Sequence, residues 1–104
     1  MTLRPYYTLK AKKDVDEICN YFDERSDSVA DRFQQQVNET VQMLCRNPDI
    51  GERFRADPSG QTRYRTLMKF RNYMIYYRRE NERLQILRIV HSARDDKTLF
   101  ENHN

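Results

Sequence analysis

Apolar residues recur along this chain at two different periods, and the change of period divides it. In residues 10–25, Ala11, Val15, Ile18 and Phe22 fall three or four apart with charges between them, which predicts an amphipathic helix. In residues 29–46 the stripe is Ala30, Phe33, Val37, Val41 and Leu44, and Asn47-Pro48 ends it, because proline disfavours helical geometry at the residue before it. Neither stretch contains Gly or Pro, and the short break between them predicts an antiparallel helical hairpin. Residues 6–9 read as a short first strand. Residues 49–63 hold Gly51, Pro58 and Gly60 and read as a loop.

The period then shortens. Residues 64–70, 73–78 and 84–91 are rich in β-branched and aromatic side chains, and the gaps between them, at Arg71-Asn72 and around residues 80–83, suit hairpins. The expectation is an α+β fold: an N-terminal strand, a helical hairpin packed on a twisted antiparallel sheet, and a short C-terminal tail. Simple hairpin registers sort the strand residues onto two faces. Thr66, Met68, Phe70, Tyr73, Ile75, Tyr77, Ile86, Arg88 and Val90 would meet the helices, with Arg88 pairing a helix acid or reaching the edge. Arg65, Leu67, Lys69, Met74, Tyr76, Arg78, Leu87, Ile89 and His91 would form the open face. Phe33, Val37, Ile75 and Tyr77 are expected among the most buried residues. The open face holds a central apolar group, which marks a site for another chain unless the long loop folds over it. A partner is favoured, since so polar a loop covers such a patch poorly.

Composition narrows the class. Residues 1–104 are expected to form one domain. Charged residues make up 34% and mean hydropathy is −1.04. No apolar run is long enough to span a bilayer, and the start of the chain lacks a signal-like stretch, which points to the cytoplasm and away from membranes. Cys19 and Cys45 fall inside predicted helices without metal-ligand spacing, so they read as reduced, partly buried thiols, and no metal or cofactor is expected. The net charge of +3 fits nucleic acid, an acidic protein or nothing specific. The basic residues thicken between Arg46 and Arg94. His91, Arg94 and Asp95 stand together where the last strand ends, and function often sits at such ends.

Three pieces in order resemble one known family. Tyr7-Thr8-Leu9 with Ala11 and residues 14–18 (DVDEI) is similar to its approach to the first helix. Leu44, Asn47-Pro48 and Ile50-Gly51 are similar to the close of the second. Residues 86–95 (ILRIVHSARD) are similar to the last strand and tail of one branch. Together they resemble the ParE/RelE toxin superfamily of type II toxin–antitoxin systems, and within it the ParE-like branch.

That resemblance implies a toxin that inhibits DNA gyrase by binding and is neutralised by a cognate ParD-like antitoxin, in a toxin–antitoxin hetero-oligomer of the kind that stabilises plasmids. It implies antitoxin contacts at Arg65, Leu67, Met74, Tyr76, Arg78, Leu87 and Ile89, and target contacts at Arg94, Asp95, Lys97 and Phe100. The alternative is a RelE-like, ribosome-dependent messenger-RNA endoribonuclease, whose candidate residues here are Arg65, His91 and Arg94. Such a nuclease needs a base, a general acid and cations for the developing phosphorane charge. Leu67 and Met74 stand where RelE-like enzymes carry further basic residues on the open face, and Phe100 lacks the hydroxyl of their C-terminal tyrosine. A binding toxin without catalytic residues is therefore the reading taken.

Overall fold

The computed structural model describes residues 2–25 and 27–92. Strand β1 is Arg4–Tyr7, two residues earlier than the apolar pattern predicts, and Leu9 already belongs to helix α1, Leu9–Asp23. The shift follows from Thr8, whose hydroxyl accepts the Ala11 amide at 3.1 Å and so caps the helix. Helix α2 is Asp27–Arg46 and packs antiparallel against α1. Its expected stripe is wholly buried: Ala30, Phe33, Val37, Val41 and Leu44 face the sheet.

After α2 the chain makes a 3-10 turn at Pro48–Ile50 and a two-residue strand β2, Glu52–Arg53, within the stretch read as loop. Strands β3 (Arg63–Thr66), β4 (Tyr73–Glu80) and β5 (Arg83–His91) follow. The five strands order as β1-β5-β4-β3-β2. Strands β3 to β5 pair antiparallel as expected and the unexpected β2 adds to β3 antiparallel, but β1 joins β5 in parallel, so the sheet is mixed. Asn81, with φ of 57°, makes the tight β4–β5 turn, a conformation that Asn tolerates better than most residues.

The main core lies between helices and sheet. Phe33, Val37, Ile75 and Tyr77 are all buried in it, as the pattern predicts. Phe22, Phe33, Phe70 and Tyr73 form an aromatic cluster at its far end, with ring centroids 5.1–6.0 Å apart. Cys19 is half-buried and Cys45 buried, both as free thiols, and burial pushes both up in pKa. No helix among the described residues is long and apolar enough to cross a membrane.

Two local events change which side chains share a face. The β3–β4 connection is longer than the expected Arg71-Asn72 turn: Thr66 pairs with Met74, and the chain between folds inward to bury Leu67 and half-bury Phe70. In β5, Tyr76 pairs with Arg88 but Tyr77 pairs with Ile86, which leaves Leu87 as the extra residue of a β-bulge. Each event reverses the alternation beyond it. Hence Arg65, opposite Ile75, turns to the helix side, Leu67 and Ile89 join the helix-side core, and Val90 goes to the open face. The expected two-face sorting is therefore correct for β4 and the start of β5, and inverted for β3 and residues 89–91.

Candidate functional site

The open face is built on an aromatic ladder. Tyr64 and Tyr76 are cross-strand partners with centroids 5.5 Å apart, and the ring of Phe54 meets Tyr76 edge-on at 5.1 Å. Phe54 comes from the segment after β2. Its amide donates to the Thr62 carbonyl at 2.8 Å, and the turn beyond it is tied by Asp57. The Asp57 carboxylate accepts the amides of Ser59 (2.9 Å) and Thr62 (3.1 Å), and these bonds, with the Thr62 interaction first, hold its pKa down to about 2. The loop thus lays one apolar side chain over the sheet, and Tyr76 is fully buried beneath it. A loop this polar still covers part of the patch. Phe54, the one aromatic residue in the stretch expected to be loop, is the sequence signal for this cover.

What remains accessible is a narrower strip. Met74 and Leu87 are half-buried on this face, beside Tyr64 and the buried Val90. Arg78 is half-buried at the strip's end, where it bonds Glu80 at 3.2 Å and Gln85 at 3.3 Å. Of the residues expected to meet an antitoxin, the structure brings Met74, Leu87 and Arg78 to the accessible strip and places Tyr76 under Phe54. Arg65, Leu67 and Ile89 are on the helix side, for the register reasons given above.

The edge of β5 past the bulge is closed by α1. The Thr8 amide donates to the Ile86 carbonyl at 3.1 Å and its hydroxyl to the Leu87 carbonyl at 3.1 Å. Asp14 then accepts the Ile89 amide at 3.0 Å and both Nε and Nη2 of Arg88, at 2.8 and 3.0 Å. This is the helix acid expected for Arg88, and the hydrogen bond to Asp14 raises the guanidinium pKa further. Arg88 is therefore a structural cation, buried and neutralised.

His91 ends β5 opposite Tyr73, and its exposed ring stands edge-on to the Tyr73 ring at 5.1 Å. Tyr73 belongs to the helix-side aromatic cluster, so the imidazole is turned away from the open face. Arg65 lies on the same helix side, two strands away. The tail residues Arg94, Asp95, Lys97 and Phe100 lie outside the described residues.

The motif Asn47-Pro48…Gly51 also acquires a physical reason. The Tyr77 hydroxyl donates to the Pro48 carbonyl at 2.8 Å and accepts the Gly51 amide at 3.0 Å. A Cβ on Gly51 would collide with that hydroxyl and lie 2.9 Å from the Tyr64 carbonyl. Only glycine fits so close an approach.

The comparison with curated proteins finds no match. A solved structure described as the chromosomal ParDE TA system from P. aeruginosa shares the fold, with a TM-score of 0.71, 24% identity, and coverage of 86% of this chain and 96% of that one. The family model described as the ParE toxin of the type II toxin–antitoxin system, parDE, matches residues 6–96. On that match over most of its length, the chain belongs to the ParE toxin family of type II toxin–antitoxin systems.

Proposed function

We propose that this toxin acts by binding DNA gyrase in the cytoplasm and is held inactive by a cognate ParD-like antitoxin in a hetero-oligomer. The observation that carries this reading over the nuclease is the chemistry of the open face. Its accessible strip is Met74, Leu87 and the edge of Tyr64, while the two described nuclease candidates, Arg65 and His91, turn to the other face. A messenger bound to the open strip would meet neither of these candidates, while the Arg78 guanidinium at its border is bonded to Glu80 and the Tyr64 hydroxyl to Glu52. Cleavage through the 2′-hydroxyl needs a base, an acid and cations converging on one phosphate.

The same strip supports an antitoxin contact. It is apolar, bordered by Arg78, and suits an acidic segment that folds on binding. Residues Met74, Leu87 and Arg78 are its proposed contacts. The tail residues Arg94, Asp95, Lys97 and Phe100 remain the proposed target contacts. Met74→Asp with Leu87→Asp is expected to abolish antitoxin binding, measured by titration calorimetry, while circular dichroism shows the helices retained. Undiminished affinity in that folded variant would remove the strip from the account.

A further inference from the structure

Arginine gathers where β2, β3 and the end of β4 meet. Arg53 and Arg63 are direct cross-strand partners, Arg63 is in turn opposite Tyr77, and Arg79 follows two residues along β4 on the same face. Like charges directly opposite one another work against strand pairing. The acids that could offset them are engaged elsewhere. Asp57 is occupied by Ser59 and Thr62, Glu52 accepts the Tyr64 hydroxyl at 2.7 Å, and Glu80 bridges Arg78 and Arg83. Asp49 comes within 3.9 Å of Arg63 but is largely exposed. Among the described residues, Arg53 and Arg79 form no ion pair.

Arg63 and Arg79 line an open cavity of about 380 Å³ with Gly60, Gln61 and Asn81, and the acid in its wall, Asp49, is the carboxylate 3.9 Å from Arg63. Arg53 reaches its rim, since Nη1 lies 4.0 Å from where a Cβ on Gly60 would stand. Forked guanidiniums suit phosphate oxygens. Convergence on one cavity matches a single phosphate, which accepts from several donors at once, better than carboxylates strung along a peptide. Tyr77 in the cavity wall is buried and its hydroxyl is already bonded, so the cavity offers no ring on which an unpaired base could stack. We propose that Arg53, Arg63 and Arg79 form a binding site for a phosphodiester of duplex DNA, which contacts the backbone and reads no base. The site stands independently of the gyrase reading, because it concerns naked DNA.

The test is fluorescence anisotropy with a short mixed-sequence duplex, titrated from about 50 to about 200 mM salt. Arg63 is left intact because it also donates to the carbonyls of Asp49 and Gly51, at 3.3 and 2.8 Å, whereas Arg79 gives up one long, exposed bond, from Nε to the Asn81 carbonyl at 3.4 Å. The variant is Arg53→Gln with Arg79→Gln, checked for folding by its thermal midpoint, with Arg79→Gln alone as the fallback. A control, Lys12→Gln with Lys13→Gln, removes the same charge from α1. Wild type and control should bind with the same salt dependence. The double variant should bind at least about tenfold more weakly, with the log–log slope reduced by about 2, close to one unit per lost phosphate contact. No duplex binding by wild type, an unchanged slope in the folded variant, or an equal loss in the control would overturn the proposal. So would single-stranded RNA or polyglutamate binding more tightly than the duplex.

Discussion

A single carboxylate holds three donors at the junction of helix and sheet. Asp14 takes both arms of Arg88 and the Ile89 amide in a setting where the acid and the base are each about nine-tenths buried. Removing one partner of such a pair leaves the other charged and dry, which is far worse than never having the pair. Asp14→Ala is expected to cost about 3–5 kcal/mol in urea unfolding. Asp14→Leu combined with Arg88→Met should recover most of that loss. A cost below about 1 kcal/mol for the single change would place the pair among ordinary surface bridges. An arginine amid apolar residues announced the need for a helix acid in the sequence. Which acid it takes was not legible, because Asp14, Asp16 and Glu17 all stand on the same helix and the choice depends on where the bulge brings Arg88.

At the scale of elements, local pattern was a good guide and register was not. Both helices, the order of the meander and the buried stripe of α2 follow from spacing alone, since a periodic apolar face has one way to meet a sheet. The parity of β3 and of the end of β5 does not, because one bulge or one longer hairpin turns every later side chain over. That is why Leu67, Ile89 and Arg65 read as open-face residues and are not. The loop over Tyr76 gives its own pH signature. Asp57 has its pKa lowered from 3.8 to about 2 by the Thr62 and Ser59 bonds, so its contribution is complete above 3.8 and is lost as pH falls through about 2. Its carboxyl resonance should titrate with a midpoint near 2, and Asp57→Asn should remove the part of the pH-dependent stability that falls between those values. A midpoint at 3.8 or above would mean that the turn is not held in this way.

For the molecule as a whole, the chain is a ParE-family toxin, and the proposal is that it acts by binding. The helices fix the sheet through Phe33 and its neighbours, the bulge and Asp14 fix the end of β5, and the loop narrows the open face to an apolar strip. That overall shape was legible because it rests on element order. The usable strip was not, because it depends on one loop residue, Phe54, finding one tyrosine. The measurement closest to the central claim uses purified gyrase with supercoiled plasmid, run beside ribosomes carrying messenger RNA, each with the toxin and with its His91→Gln variant. The account predicts that both proteins impair gyrase, that antitoxin relieves the effect, and that the messenger stays intact. Messenger cleavage by wild type, a fall of about 10²–10⁴-fold in His91→Gln, and unaffected gyrase would contradict it.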